Sequence, residues 1–411
     1  MEYKVENLID SVSKKHTFPG DKIIFLNTSD IEKGYVLHNN YSMIDSLPGQ
    51  AKKSIQKGDI LYSEIRPKNE RFAYINFASD DYVVSTKLMV LRNKKPEILN
   101  TKYFYLYITS KKTIDYLQNL AESRSGTFPQ ITFSEVKNMV IDIPTLAVQN
   151  KIVNSIESID KKIELNKKII ANLEELSQTL FKRWFVDFEF PDENGNPYKS
   201  SGGEMIDSEL GMVPKGWKIL ELGKITEIIM GQSPKSDTYN TQNEGLPLLN
   251  GATDFKNRIL NATKYTTDPK KRGQIGDYVF GVRATVGLVT ELDRDYAIGR
   301  GAAVARVEST HKEWLYEILV KSFQYFENSI SGSVYINISS NDLNNYKVIY
   351  PSTEIMYKYH DKLVSIFDLV KSVKLETNLL TLLRDTLLPK LMSGEIEMPE
   401  DIEVNEDELS I

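Results

Sequence analysis

Between residues 148 and 185 the chain places apolar side chains three, four or seven apart, at Ile156, Ile159, Ile163, Ile170 and Leu173, with Lys, Glu and Asn filling much of the space between them. A second segment, residues 357–388, does the same with Leu363, Ile366, Val370, Val373 and Leu380. So narrow a seam at helical spacing predicts a long helix buried along one partner helix. At 1.5 Å per residue each helix is about 50 Å long. A helix of this length with a polar majority needs support, and the obvious support for each segment is the other. Pro389 is expected to end or kink the second one.

The two segments are copies. A shift of 207 positions lays Pro144 on Pro351, Ile159 on Ile366, Ile163 on Val370, Leu173 on Leu380, Leu176 on Leu383 and Leu180 on Leu387 without a gap. Just ahead of each helix stands the same polar, glycine-led loop, "SGTFPQITFSEVKNMVIDIP" at 125–144 and "SGSVYINISSNDLNNYKVIYP" at 331–351. Further upstream, "FLNTSDI" (25–31) matches "LLNGATDF" (248–255), and "GDILYSEIRP" (58–67) matches "GDYVFGVRA" (276–284), each of the latter an alternating strand pattern reaching an arginine. Strand-like runs "DYVVSTKLMVLR" and "YAIGRGAAVARV" and short amphipathic helices at 102–120 and 312–330 complete two stretches of mixed α/β character. The chain therefore reads as an α+β protein with an internal duplication. Its expected parts are a globule at 1–145, a long helix at 146–190, a Gly/Pro/Asn/Ser-rich linker at 191–205, a second globule at 206–350, a second long helix at 351–394 and a tail at 395–411.

Composition narrows the class. The chain contains no cysteine, which excludes disulfide scaffolds, thiolate zinc sites and cysteine nucleophiles. No apolar run approaches the roughly 20 residues of a membrane span, and the amino terminus has no signal-like pattern, so a soluble cytoplasmic protein without a membrane partner is expected. The net charge of -6 is misleading, because residues 394–411 hold eight acidic residues and no basic one, leaving +2 on the remainder. The composition of that tail is that of a solvated, disordered end.

No catalytic motif is present. His16, His38, His311 and His360 lack metal or triad spacing, and neither a phosphate-binding loop nor a dinucleotide fingerprint occurs. "NPY" at 196–198 and "PDE" at 191–193 superficially suggest a base-flipping loop and a nuclease carboxylate pair. They lack the remaining residues of either site and read as turns.

The stretches "LFKRWFVDFEFP", "SELGMVPKGW", "GQSPKSDTYN", "EGLPLLNG" and "LLPKLMSGEIE" resemble the specificity subunits of type I restriction-modification enzymes. The first globule lacks a "GQSPKS" element. The resemblance implies two target recognition domains reading the halves of a bipartite double-stranded DNA sequence, with the two long helices paired antiparallel as a coiled-coil spacer and as a dock for two methylation subunits. It further implies that this chain is non-catalytic and binds no cofactor, while S-adenosylmethionine, ATP and Mg belong to the methylation subunits and the helicase-nuclease restriction subunits. Two other readings fit the residues alone: a coiled-coil scaffold without a nucleic-acid role, and a stand-alone DNA methyltransferase or nuclease with drifted motifs.

Base edges are read by Arg, Lys, Asn, Gln, Ser and Thr side chains, and phosphates are held by Lys and Arg. The candidates are Arg66, Lys68, Arg71, Arg124, Thr127 and Gln130 in the first globule. In the second they are Ser233, Lys235, Arg283, Arg300, Tyr335 and Asn337. Arg66 and Arg283 stand out because they follow matching strands at nearly equivalent places. Each arginine can equally serve as a surface charge or ion-pair partner, and Tyr335 can pack as well as stack.

Overall fold

The computed structural model describes residues 1–18, 20–124, 127–283, 286–329 and 337–398. The chain divides into two compact units, one formed by Met1–Leu165 with Thr377–Ile411 and the other by Asn166–Glu376. Seven α-helices lie among the described residues: α1 (Thr101–Ile108), α2 (Lys111–Arg124), α3 (Phe133–Lys137), α4 (Leu146–Phe185), α5 (Lys312–Ser329), α6 (Ser340–Asn344) and α7 (Thr353–Ser393).

Each unit holds the same sheet arrangement. In the first, strands Ile9–Ser11, Leu88–Asn93, Ile60–Ser63 and Phe72–Tyr74 form an antiparallel sheet in that order. In the second, Glu227–Met230, Ala302–Arg306, Tyr278–Gly281 and Gly287–Glu291 repeat it. Beside each lies a sheet whose central pair is parallel, Lys22–Leu26 with Tyr82–Ser85 and Leu246–Leu249 with Tyr296–Ile298. Each unit also has a two-stranded antiparallel closure, Glu2–Lys4 with Val140–Asp142 and Lys218–Glu221 with Lys347–Tyr350.

The duplication extends to a buried ion pair. In each copy the aspartate of a Gly-Asp step directly precedes the strand Ile60–Ser63 or Tyr278–Gly281, and these residues, Asp59 and Asp277, are 0% and 4% exposed. Asp59 accepts two bonds from Arg92 at 2.7 and 2.8 Å and a third from the Gln56 backbone N–H at 2.8 Å. Asp277 accepts two from Arg306 at 2.9 and 2.8 Å and one from the Gln274 N–H at 2.8 Å. Bidentate pairing to guanidinium satisfies carboxylates that would otherwise be costly to bury.

The long helices pair antiparallel. In the second unit Asn166 bonds Glu376 at 2.8 Å, Glu174 accepts from Lys374 at 2.9 Å and the Trp184 ring lies 5.7 Å from Tyr359. In the first, Arg384 reaches Asp160 at 3.0 Å. Of the ten seam residues, Ile156, Ile163, Leu363 and Val373 are buried, while Ile159, Ile170, Leu173, Ile366, Val370 and Leu380 are half-buried. The same 3-4 spacing carries polar residues too. Asn166 and Ser177 are buried, and a buried asparagine in a helix seam favours one register at a cost in stability.

Three local expectations are corrected. Pro389 does not end α7, which continues to Ser393, close to the 394 bound expected for this helix. The proline removes the N–H that would bond the Asp385 carbonyl, yet only one further turn follows. That turn is held because Leu391 is buried in the first unit's core beside Leu387, Leu388 and Met392. The helix then stops at Gly394, whose φ of 74° suits a glycine terminator. α4 ends at Phe185, short of residue 190, where Phe188 turns left-handed (φ 61°) and packs on Trp217. The amphipathic stretch at 102–120 is two helices, because Ser110 interrupts it and its hydroxyl accepts from the Thr113 N–H at 3.3 Å, a serine cap. The second copy keeps one continuous helix, α5.

The Pro-rich stretch after α4 forms a tight turn. Asp192 accepts from the N–H groups of Asn194 and Asn196 at 2.8 Å, and Phe190 stacks between Tyr198 and Trp217.

Candidate nucleic-acid interface

In the first unit the strand Ile60–Ser63 runs out into a loop, residues 64–71, that is stitched to the polar loop preceding α3. The Ile131 N–H donates to Glu64 O at 2.8 Å, the Arg66 N–H donates to Pro129 O at 3.1 Å, and Ile65 bridges Gln130. Arg66 itself is left-handed (φ 43°), as is Glu70 (φ 53°), and Pro67–Asn69 make a 3-10 turn between them. Left-handed backbone at a non-glycine residue is held at some energetic cost and is frequent at binding sites. The Arg66 side chain is exposed, its guanidinium 3.5 Å from Thr127 O.

The remaining first-unit candidates divide. Lys68 and Thr127 are exposed, Lys68 lying 3.9 Å from Asp115. Gln130 is half-buried and accepts from Lys87 Nζ at 3.4 Å. Arg71 is turned inward, donating to Ser29 O and Ile31 O at 3.3 and 3.2 Å. Arg124 pairs with Glu135 at 2.5 Å, and that carboxylate also closes the capping box at the start of α3. Arg71 and Arg124 therefore each have an intramolecular task.

In the second unit the same sheet end is formed by four segments brought together by backbone bonds. Gly231 N–H donates to Ala302 O, Gln232 N–H to Ile298 O, Val282 N–H to Gly301 O and Ile338 N–H to Val282 O, all at 3.0–3.1 Å. A side chain at Gly231 would put its Cβ 2.0 Å from Gly299 O, so the approach requires glycine there. This convergence places Ser233 and the exposed Lys235, the exposed Arg300, and the exposed Arg283 bridged to Asn337 on one rim. The guanidinium groups of Arg283 and Arg300 make no ion pair or side-chain hydrogen bond with the described residues. Tyr335 lies outside the described residues.

Comparing the rims corrects one correspondence. Ile131 bonds Glu64 as Ile338 bonds Val282, and Ile65 bridges Gln130 as Arg283 bridges Asn337. Arg283 therefore occupies the station of Ile65, one residue before that of Arg66. The comparison also finds residues that sequence reasoning passed over. Glu64 N–H donates to Lys87 O at 3.0 Å, as Val282 does to Gly301, so the exposed Lys87 stands on the first rim beside the station of Arg300. The matching runs at 81–92 and 296–307 already carried that signal. Lys53 supports this turn, donating to Thr86 O and Leu88 O at 3.1 and 2.8 Å, and burial pulls its ammonium pKa below the ordinary value. Lys14 and Lys15, exposed just past strand Ile9–Ser11, stand where the second unit has its "GQSPKS" segment.

Among the described residues, nothing at either rim resembles a reaction centre. No group of three or more His, Asp or Glu suited to a metal occurs among the described residues, and no helix among them is long and apolar enough to cross a membrane. His311 and His360 serve internal bonds, to Tyr350 Oη and Glu313 Oε2, both at 2.7 Å.

The sequence pattern of the type I restriction modification DNA specificity domain matches residues 8–175 and again 214–383. The specificity subunit of the type I restriction enzyme HindI from Haemophilus influenzae is 32% identical over 96% of this chain and 99% of its own length. A Methanocaldococcus jannaschii protein bearing the name of the MjaX specificity subunit is 28% identical over 85% of this chain and 80% of its own. The S subunit of a type I system from M. genitalium has the same fold, with a TM-score of 0.58 over 97% of this chain and 96% of that one at 16% identity. With the family pattern matched in both copies, and the HindI subunit matched nearly end to end, the chain belongs to the DNA specificity subunits of type I restriction-modification systems, the non-catalytic members of those systems.

Proposed function

We propose that the chain reads a bipartite DNA target, the rim of each unit contacting one half-site, while the paired helices α4 and α7 set the gap and carry two methylation subunits. The observation that supports this most is the repeated rim: the same sheet end, stitched by the same backbone bonds, presents exposed basic side chains in both units. These are Lys14, Lys15, Arg66 and Lys87 in one and Lys235, Arg283 and Arg300 in the other. Basic groups held at a rigid edge suit phosphate anchoring and major-groove readout. The rims differ in residue type while sharing backbone geometry, as readers of different half-sites should.

Docking of partners is supported by leucines outside the seam. Leu165, Leu379, Leu382 and Leu383 are exposed in the first unit, and Leu176, Leu369 and Leu375 in the second. Exposed apolar side chains in this density on helices mark interaction surfaces. S-adenosylmethionine, ATP and Mg then act on the methylation and restriction subunits of a cytoplasmic complex.

The test is a pair of variants in the complex with methylation subunits. Arg66→Ala and Arg283→Ala are each expected to weaken specific binding by about 1–3 kcal/mol, with relaxed base preference in one half-site only and a different half-site for each. Unchanged affinity and base preference in both would remove these arginines from the interface.

A further inference from the structure

The matched turns at 25–31 and 248–255 have a task that neither the rims nor the seam absorbs. In the first unit the Asn27 N–H donates to Asp30 Oδ2 at 2.8 Å. In the second the Asn250 and Gly251 N–H groups donate to Asp254 Oδ2 at 2.7 and 3.2 Å. Each turn then buries an apolar plug, Ile31 or Phe255, both 0% exposed. A few residues later each sends one side chain across to α4. Tyr35 Oη donates to Glu164 Oε1 at 2.8 Å, and Arg258 Nη1 donates to Glu174 Oε1 at 2.8 Å.

Both segments are held in left-handed backbone, Lys33 at φ 47° with Gly34 at φ 97°, and Arg258 at φ 60°. Arg258 also lies 6.0 Å over the Tyr316 ring, and Glu174 accepts from Lys374 on α7.

The other side of each segment bears on its rim. Lys33 and Gly34 N–H groups donate to Glu70 O and Phe72 O at 2.9 Å, and Arg71 bonds the Ser29 and Ile31 carbonyls. In the second unit the 3-10 segment Ala252–Arg258 packs against strand Gly287–Glu291, which follows the Arg283 loop.

The geometry matters because of where the ties fall. The last α4 side chain in the first unit's core is Ile156, and Glu164 lies eight residues further on, about 12 Å along the helix. In the second unit Phe181 is the first buried α4 residue of the core, and Glu174 precedes it by seven residues, about 10 Å. Each tie thus lengthens the stretch of α4 that its globule grips, beyond the core and, in the second unit, beyond the buried Ser177–Glu317 bond. A longer grip resists rocking of the globule about the helix more than a shorter one does.

We propose that Tyr35 and Arg258 are positioning residues that hold each recognition domain at a fixed angle on its own stretch of α4, and so let the complex reject targets whose gap is wrong by one base pair. The inference rests on the DNA-reading function proposed above. One extra base pair displaces the second half-site by about 3.4 Å and turns it by roughly 35° around the duplex, a change that a rocking domain follows and a fixed one does not.

The experiment uses the complex of the full chain with methylation subunits. Bound duplexes are selected from a randomised library and sequenced, which reads half-site preferences and gap lengths together. Tyr35→Phe removes only the hydroxyl, and Arg258→Met keeps an unbranched stem over Tyr316 while removing the charge. The double variant is expected to enrich the same half-sites as the native complex, while its preference for the native gap over neighbouring gaps falls about tenfold, equivalent to roughly 1.4 kcal/mol. Arg258→Lys, which keeps a cation in reach of Glu174, is expected to narrow the distribution again. A double variant with the native gap distribution overturns the proposal. So does recovery that falls for all gaps alike, the mark of a merely structural role. A native complex that enriches no two-part sequence contradicts the DNA-reading function itself and the proposal with it.

Discussion

Replacing Asp59 by Asn isolates the buried pair that both units share. The carboxylate is fully buried and takes two bonds from Arg92 and one from the Gln56 N–H. Asparagine keeps the shape and one acceptor oxygen, so the backbone bond can survive, but it leaves the Arg92 guanidinium without a counter-charge. Breaking a buried ion pair by removing one partner costs about 3–5 kcal/mol. The Arg92 side chain is 28% exposed and recovers some hydration, which puts the expected loss at the lower end, about 3 kcal/mol. For a body of this size, about 2–4 °C are lost per kcal/mol, so the transition of the first unit should fall by roughly 6–12 °C. Differential scanning calorimetry reads it directly. Asp10→Asn is the control, since the exposed Asp10 pairs with Lys94 at the surface at 2.9 Å and exposed pairs contribute less than about 1 kcal/mol. The aspartate also directly precedes the strand leading to the Arg66 loop, so specific DNA binding should weaken along with stability. An Asp59→Asn shift no larger than that of Asp10→Asn would refute the reasoning.

Ile163→Asp places a carboxylate at a seam position that is 4% exposed. It should abolish cooperative folding or assembly with the methylation subunits, and an unchanged melting curve with normal assembly would show the seam to be unimportant. Burial pushes the Glu317 carboxyl from its ordinary 4.5 up to about 7, with the Ser177 hydroxyl, 2.6 Å away, pulling the other way. Its charged form is therefore disfavoured in the folded state, so its contribution is full below pH 4.5 and is lost as pH rises to about 7. Glu317→Gln should melt like the native protein below pH 4.5 and gain on it steadily between pH 4.5 and 7, whereas a pH-independent difference would contradict the assignment. Seven residues added at matched places in α4 and α7 keep the seam in phase and lengthen it by about 10 Å, near three base pairs. The variant should abandon the native gap in a binding competition, and a well-folded variant that keeps it would show that the helices do not set the spacing.

The duplicated architecture was legible because its signals are local and periodic. Apolar residues at 3-4 spacing declared both long helices, and an ungapped repeat declared the copies. What escaped depends on partners far along the chain. Asp59 and Asp277 were visible as matching Gly-Asp steps, but their arginines stand 33 and 29 residues away, and nothing local pairs them. Asn166 and Ser177 fall in the seam's spacing yet are invisible to a search for apolar positions. Pro389 does not end α7, because a buried Leu391 holds the turn that follows it. At the rims, residue type alone could not separate Arg71 and Arg124, which hold neighbouring loops, from Arg66, Arg283 and Arg300, which make no ion pair with the described residues. Lys87 was hinted at by the matching runs at 81–92 and 296–307, but its place on the rim follows from the backbone bonds of the two sheet ends laid side by side.

The most direct test of the account is a map of modified bases. DNA incubated with S-adenosylmethionine and the complex of this chain with its methylation subunits is sequenced for methylated adenines, with the native chain and with Arg66→Ala and Arg283→Ala. The account predicts methylation confined to one two-part sequence with a single gap length, and relaxed base preference in opposite halves of that sequence in the two variants. Methylation at a continuous sequence, or methylation that persists unchanged when this chain is left out, would contradict it.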